Sequence, residues 1–341
     1  LLEPYYTRGI ITRHMINERE VLRSAGRDAI TCFLRSRSVF ELIRTSGKVV
    51  VFETNIPIQL AFYALLEHES AAAPLWDSAS REFVGLMTIT DFVDVLRYYH
   101  DEHGRTGAAI EVLASRSISQ IMSDADAGVH FKHAMEALSD SHGSLVAVDA
   151  NSSLYDACTI MRAKKRRFLP IVMPEDCGIL AVVTHVEILE YFVATFREER
   201  RLFDQPIREL GIGTFGDVVS VDGRTSLRDV LEILCKYDIS SVPVVNEAGR
   251  IISLYSHADI TFLATATDAD SVVVNLGSSM TDMLRQRRSE EALHTCSQHA
   301  TLQSVFELFA DVKFRRLVCL DDERRPVGII SVRDLLCYFL H

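Results

Sequence analysis

The stretch SSVPVVNEAGRIISLYSHADI, from Ser240 to Ile260, contains two apolar runs around a tight turn and ends in Ser-x-x-Asp. Its β-branched residues and its Asn-Glu-Ala-Gly turn predict a hairpin of two strands. Ser256 and Asp259 then mark the start of a helix. The same pattern occurs at Ala71–Phe92, Arg167–Ile188 and Arg315–Leu335. A unit used four times predicts a repeat architecture with four equivalent clefts.

Each repeat is predicted to run strand, helix, strand, strand, helix. In repeat 3, Val218–Val221 is the first strand, and Ser226 is the N-cap of an amphipathic helix over Leu227–Lys236. Ser241–Val245 and Ile251–Tyr255 then form the hairpin. Three prolines occupy one equivalent position at the start of the second strand, and valine replaces them in repeat 4: Pro74, Pro170, Pro243 and Val318.

The fold class expected from this pattern is α/β, built of α+β repeats. The boundaries predicted from the sequence are an N-terminal extension at 1–27 and four repeats at 28–111, 112–200, 201–272 and 273–341. The extension shows no clear period, and a charged segment at 194–210 separates the two halves.

The composition excludes some classes of protein. A formal net charge of −11 argues against nucleic-acid binding, which needs an excess of Lys and Arg. No apolar run approaches the length of about 20 residues that spans a bilayer, so no membrane segment is expected. The seven cysteines are scattered and never spaced Cys-x-x-Cys, which is typical of buried thiols in a reducing, cytosolic setting.

The Ser/Thr-x-x-Asp/Glu motif has two interpretations. The first is a capping box, in which hydroxyl and carboxylate satisfy backbone N–H groups at a helix start. The second is a nucleotide cleft, in which the carboxylate accepts from ribose hydroxyls beside a helix N-terminus that attracts phosphate. The pairs concerned are Thr88 with Asp91, Thr184 with Glu187, Ser256 with Asp259, and Ser331 with Asp334.

Phosphates also require cations, and the planar fork of arginine binds them in bidentate fashion. Arg315 and Arg316 lie at the start of the second strand of repeat 4, and Arg166 and Arg167 lie at a similar place in repeat 2. A solvated basic edge is the alternative. No catalytic or metal-binding motif is recognisable, so neither an enzyme nor a metal site is expected.

The four units resemble cystathionine-β-synthase-type (CBS) repeats, and the chain as a whole resembles the gamma subunits of AMP-activated protein kinase. The resemblance runs from about Ser38 to the C-terminus. It is carried by the segments Arg37–Thr54, Ala73–Phe92, Glu209–Val219 and Val242–Ile260. It implies four CBS repeats in two Bateman modules, packed as a pseudo-symmetric disc with phosphates converging on its centre.

The resemblance also implies a function. The chain would be a non-catalytic regulatory subunit that binds AMP, ADP and ATP without a further cofactor and senses the cell's energy state. Its partners would be a catalytic alpha and a scaffolding beta subunit, in the cytoplasm and also the nucleus. The residues expected at nucleotide sites are the ribose carboxylates Asp91, Asp259 and Asp334, their neighbours Thr88, Ser256 and Ser331, the cations Arg167, Arg315 and Arg316, and Thr214, Ser240 and Glu187.

Three departures from the family pattern bear on binding. Ala71 stands where the family has an arginine, and Arg167-Phe168 replaces a His-Arg pair. Glu187 stands in place of the arginine found at the ribose position of repeat 2, which gives that cleft a carboxylate. A divergent gamma subunit with an altered or weakened nucleotide response is therefore expected.

Two other classes of function stay open. A structural, gamma-like scaffold that has lost nucleotide binding is favoured by Ala71 and Phe168, and opposed by the retained carboxylates and Arg316. An enzyme regulated by CBS repeats is least favoured, because the repeats fill the chain.

Overall fold

The computed structural model describes residues 24–43, 49–68, 70, 72–103, 106–124, 126–130, 145–173, 178–196, 204–256, 259, 276–286, 293–311 and 315–340. Within them the same small unit occurs four times, and we name these units repeats 1 to 4 in chain order. Each unit holds a three-stranded sheet whose second strand is central, parallel to the first strand and antiparallel to the third. The predicted strand, helix, strand, strand, helix order is therefore confirmed in repeats 1, 2 and 4, and in repeat 3 as far as the third strand.

Equivalent elements have similar lengths in the four repeats. The first strands are Phe52–Glu53, Val148–Asp149, Val221–Asp222 and Thr295–Ser297. The first helices are Ile58–Glu67, Leu154–Ala163, Leu227–Lys236 and Leu302–Asp311. The second strands are Ala72–Asp77, Phe168–Val172, Ser241–Val245 and Arg316–Leu320, and the third strands are Glu82–Thr88, Ile179–Thr184, Ile251–Ser256 and Pro326–Ser331. The second helices are Ile89–His103, His185–Thr195 and Val332–Phe339, whereas most of repeat 3 beyond Ser256 lies outside the described residues.

Further elements connect the repeats. They are the helix at residues 24–36, a 3-10 turn at Val39–Leu42, the helices Thr106–Ser115, Ile118–Ser123, Ala127–His130 and Met280–Gln286, and the short strand Thr214–Phe215. No helix among the described residues is long and apolar enough to cross a membrane.

Proline sets where the first and second strands begin to pair. Pro74, Pro170 and Pro243 occupy the same register position, two residues after the one opposite the motif hydroxyl. In these repeats the parallel ladder starts one residue after the proline, because proline has no N–H to donate. In repeat 4 Val318 takes the position, donates its N–H to the His294 carbonyl at 3.0 Å, and the ladder starts there.

This effect corrects the first strand of repeat 3. The sequence predicted Val218–Val221, but pairing begins only at Val221, opposite Val244. Upstream, the N–H of Val218 bonds to the Gly216 carbonyl at 2.8 Å, so the chain turns there instead of extending. The helix Leu227–Lys236 is confirmed with its predicted bounds, and Ser226 accepts from the N–H of Asp229 as its N-cap.

Contacts between repeats close the four units into a ring. Repeats 1 and 2 meet through their sheets, where Ala72 and Leu86 pack against Phe168 and Val182. Repeats 3 and 4 meet where the short strand Thr214–Phe215 joins the edge of the repeat 4 sheet. This arrangement agrees with two Bateman modules and the expected disc.

Helices complete the ring. In one large core the helices of repeats 1 and 3 pack together, and Arg97 donates to the Leu231 carbonyl across the boundary at 3.4 Å. In the other core repeats 2 and 4 meet, with the rings of Phe192 and Phe339 6.4 Å apart. Ile30 and Leu34, from the helix at 24–36, are buried in this second core.

The segments that lead into the repeats are exchanged within each pair. The segment before repeat 1 bonds to repeat 2, where the Val39 N–H donates to the Ser152 carbonyl at 2.8 Å. The segment before repeat 2 bonds back to repeat 1, where the Ile118 N–H donates to the Ile56 carbonyl at 3.0 Å. Repeats 3 and 4 are joined in the same way. The sequence boundaries stay predictions, and of the 1–27 extension only residues 24–27 are described, as helix.

Candidate functional site

The four motif carboxylates lie where the third strand ends. In each repeat one carboxylate oxygen accepts from both the backbone N–H and the hydroxyl of the Ser or Thr three residues earlier. The hydroxyl-to-carboxylate distances are 2.6 Å for Thr88–Asp91, 3.0 Å for Thr184–Glu187, 3.1 Å for Ser256–Asp259 and 2.6 Å for Ser331–Asp334. The carboxylate half of the capping box is therefore present in all four repeats, and the half donated to the hydroxyl by the backbone N–H of the acidic residue is present in repeats 1, 2 and 4. The ribose role stays a prediction.

Burial distinguishes the four clefts. Asp91 and Asp259 are only 0% and 3% exposed, whereas Glu187 and Asp334 are half-buried. Fully buried carboxylates are rare unless partners compensate their charge. The capping bonds compensate part of it here, and the cations described below supply more.

Strand register decides which cations are equivalent. Phe168 lies opposite Thr184, and Arg316 lies opposite Ser331, so Arg167-Phe168 corresponds to Arg315-Arg316. The similar placement expected for Arg166 is wrong by one residue, because Arg166 precedes this pair. Repeat 2 thus keeps a cation at the first position and has phenylalanine at the second.

Arg316 points across the boundary between repeats 4 and 3. Its guanidinium donates a hydrogen bond to the hydroxyl of Ser240. Burial lowers the pKa of Arg316 to about 10, and the positive charges of Arg167 and Arg315 act in the same direction. The carboxylates of Asp259 and Asp334 oppose this shift, so residues of repeats 2, 3 and 4 converge on Arg316.

Arg167 connects the same place to repeat 1. Burial lowers the pKa of its guanidinium, and the positive charge of Arg333 in repeat 4 lowers it further. The carboxylates of Asp238 in repeat 3 and Asp91 in repeat 1 act in the opposite direction. Among the described residues, Arg167 makes no hydrogen bond or close ion pair. A half-buried guanidinium therefore lies within electrostatic reach of all four repeats.

Sequence reasoning missed three members of this cluster. Arg333 occupies an unassigned position inside the Ser331-x-x-Asp334 motif, and its charge acts on Arg167 and on His185. His185 follows the Thr184 cap directly, is 7% exposed, and has its pKa lowered to about 4 by burial and then by Arg333. Asp238 has φ 49° in the turn after a helix. Only their position beside the motif or a turn offered a signal.

The other predicted residues lie around this centre. Arg315 is exposed, and its carbonyl accepts from the Val332 N–H at 3.3 Å. Thr214 is exposed and lies opposite Ile329, two residues before Ser331 on the third strand of repeat 4. Ala71, the departure in repeat 1, lies outside the described residues. No group of three or more His, Cys, Asp or Glu side chains in the described ranges is placed to hold a metal ion.

Comparison with known proteins gives a family for this arrangement. The model of the CBS domain matches residues 140–194, 212–264 and 289–341. The 5'-AMP-activated protein kinase subunit gamma of Dictyostelium discoideum is 32% identical over 335 residues, or 95% of this chain. The gamma-3 subunit of Homo sapiens is 30% identical over 92% of the chain. The chain belongs to the family of AMP-activated protein kinase gamma subunits.

This gamma-family chain spans 55% of the Dictyostelium subunit and 61% of the human one. Its fold is also that of a solved structure from Methanocaldococcus jannaschii, proposed to be an archaeal homologue of the gamma subunit. The two share a TM-score of 0.66 at 17% identity, over 89% of this chain and 99% of the other. The comparisons indicate no catalytic family.

Proposed function

We propose that this chain is a non-catalytic regulatory subunit that binds AMP, ADP and ATP in the clefts between its CBS repeats. The observation that carries the proposal is the convergence of Arg167 and Arg316. Both side chains are half-buried, and burial lowers the pKa of both guanidinium groups. A positive charge held in this way gains most from an anionic ligand, and phosphate oxygens match the fork of arginine.

The motif carboxylates supply the second half of a nucleotide site. One oxygen of Asp334 holds Ser331, and its other oxygen accepts no hydrogen bond from the described residues. That oxygen is available to the hydroxyls of a ribose. The chain thus places a carboxylate and a guanidinium on the same cleft, as a nucleoside phosphate requires.

The departures set the expected strength of binding. Phe168 cannot bind phosphate, and loss of one charged hydrogen bond is worth about 1.5–3 kcal/mol, or tenfold and more in affinity. We therefore expect the cleft that contains Phe168 to bind nucleotide more weakly than it would with an arginine at this position.

Assembly and location are part of the same proposal. The relatives are named as subunits of a kinase, which supports a complex with a catalytic alpha and a scaffolding beta subunit. We place this complex in the cytoplasm and also the nucleus.

Calorimetric titration of AMP, ADP and ATP into the purified chain tests the proposal. Wild-type protein should bind at least one of the three, and Arg316→Gln should bind it tenfold or more weakly. Arg285→Gln is the matched control, because this arginine is 76% exposed and, among the described residues, forms its ion pair with Asp282. Absence of any adenine nucleotide binding by folded wild-type protein would overturn the proposal.

A scaffold without nucleotide exchange is the second candidate. It is favoured by Phe168 in the place of a cation and by the capping bonds that already engage all four carboxylates. Co-purification with a beta subunit in the absence of any nucleotide binding would identify this function.

A further inference from the structure

Cys296 and Cys319 form a thiol pair inside the repeat 4 sheet. They lie directly opposite each other on the parallel first and second strands. Their sulfur atoms are 3.3 Å apart, and the two side chains are 9% and 0% exposed. Neighbouring strands are about 4.7–4.9 Å apart, which lies within the Cα separations that disulfides span.

We propose that Cys296 and Cys319 are a modification site, at which hydrogen peroxide forms an intramolecular disulfide. Cys296 is the attacking thiol and Cys319 the resolving thiol. The Cys296 thiolate attacks peroxide, which breaks the O–O bond, gives a sulfenic acid and releases hydroxide. The Cys319 sulfur then displaces the sulfenic hydroxyl, so that the S–S bond forms and water leaves. In sum, two thiols and one peroxide give one disulfide and two waters.

The hydrogen bond between the thiols assigns these two roles. It lowers the pKa of Cys296, whose thiolate it stabilises, and raises the pKa of Cys319. Thiolate, not thiol, is the form that reacts with peroxide. Cys296 also lies on an edge strand of the sheet, whereas the strand of Cys319 has a neighbouring strand on each side.

No other two cysteines in the described part of the chain are hydrogen-bonded to each other. Cys158 is buried, and burial raises its pKa to about 12, which leaves it unreactive. Cys32 and Cys235 are exposed. These two exposed thiols are therefore internal controls for the action of peroxide.

The bond would tie two strands that are 23 residues apart in sequence and are separated by the first helix of repeat 4. Closing a loop of this length restricts the unfolded chain. Oxidised protein should therefore unfold at a higher temperature than reduced protein. Because Cys319 lies three residues after Arg316 on the same strand, the modification fixes the strand that carries this arginine.

Peptide mapping tests the proposal. The full chain is treated with peroxide, its free thiols are blocked, and the digest is searched for a Cys296–Cys319 linked peptide that disappears on reduction. In Cys319→Ser the hydroxyl can still donate to the Cys296 sulfur, so the sulfenic acid of Cys296 should persist and be trapped by dimedone, and in Cys296→Ala neither product should form.

Two results would overturn the proposal. One is oxidation of Cys32 and Cys235 with no linked peptide in wild-type protein. The other is a link from Cys296 to a different cysteine. Mapping of the wild-type protein decides between these outcomes even if a variant fails to fold.

Discussion

The guanidinium of Arg316 in repeat 4 donates a hydrogen bond to the hydroxyl of Ser240 in repeat 3. The two residues hold register positions that differ by one: Arg316 is opposite Ser331, while Ser240 directly precedes Ser241, which is opposite Ser256. The bond therefore crosses the boundary between repeats 3 and 4 and orients a half-buried cation. In repeat 3, Ser241 stands where repeat 4 has Arg316. The neighbouring Ser240 contributes the hydroxyl that binds Arg316.

Removal of this hydroxyl should weaken nucleotide binding. In Ser240→Ala the guanidinium of Arg316 loses its orienting partner, and we expect a loss of affinity of roughly threefold to tenfold. Calorimetric titration with AMP measures it. Ser220→Ala, an exposed serine of the same repeat, is the control. Equal affinities of the two variants would show that Ser240 does not position Arg316 for binding.

Replacement of Asp334 separates capping from ribose binding. Asp334→Ala should lose the stability of a cap, about 0.5–2 kcal/mol, and also weaken nucleotide binding. Asp156→Ala is the matched control, because Asp156 accepts from the hydroxyl of Ser153 at 2.7 Å and from its N–H at 3.3 Å but is exposed at the first helix of repeat 2. It should lose a similar free energy of unfolding and keep full affinity.

Urea unfolding and calorimetry on the two variants give both quantities. If Asp334→Ala loses stability and binds nucleotide as tightly as Asp156→Ala, then the carboxylate of Asp334 is a cap alone.

Alanine at Gly213 should destabilise the module of repeats 3 and 4. Gly213 has φ +97°, and a Cβ there would meet the Ile329 carbonyl oxygen at 2.8 Å and the Ile330 side chain at 3.0 Å. We expect a loss of about 1–3 kcal/mol, because both the backbone angle and the close approach to Ile329 oppose a side chain. Urea unfolding of Gly213→Ala measures it.

Gly178→Ala is the comparison for this change, since nothing lies within 4 Å of the added Cβ. A Gly213→Ala protein as stable as Gly178→Ala would show that the short strand beginning at Thr214 tolerates displacement from the repeat 4 sheet.

Local structure could be predicted from the sequence because it depends on nearby residues. The cap Ser226 and the apolar spacing of Leu227, Val230, Leu231 and Leu234 were sufficient for one helix, with all four side chains buried. Where register mattered, prediction failed by one residue, as with Arg166, because only strand pairing shows which residue lies opposite Thr184.

The centre of the site could be predicted only in part. Arg167, Arg316 and Ser240 were named, but the approach of Arg167 to Asp238 depends on how repeats 2 and 3 face each other across the ring. Arg333 and His185 carry no motif of their own, and they meet because the second helices of repeats 2 and 4 pack together. Such contacts join residues about 150 positions apart, beyond the reach of local patterns.

His185 should make stability depend on pH. Burial and the nearby Arg333 lower its pKa to about 4 in the folded protein, from about 6.5 in the unfolded chain. Between these two pH values the unfolded state therefore binds more protons than the folded state. The stabilising contribution of His185 is complete above pH 6.5 and is lost as the pH falls toward 4. From pH 7 to pH 5 this amounts to about 2 kcal/mol of the free energy of unfolding.

Urea unfolding at the two pH values measures this loss in the wild type, in His185→Gln and in His299→Gln, a change at an exposed histidine. Carboxylate titration contributes equally to all three proteins, so the difference between them reports His185. His185→Gln should lose about 2 kcal/mol less than the wild type, and His299→Gln should follow the wild type. Parallel losses in all three proteins would mean that His185 is protonated in the folded state at pH 5, with its charge accommodated beside Arg333.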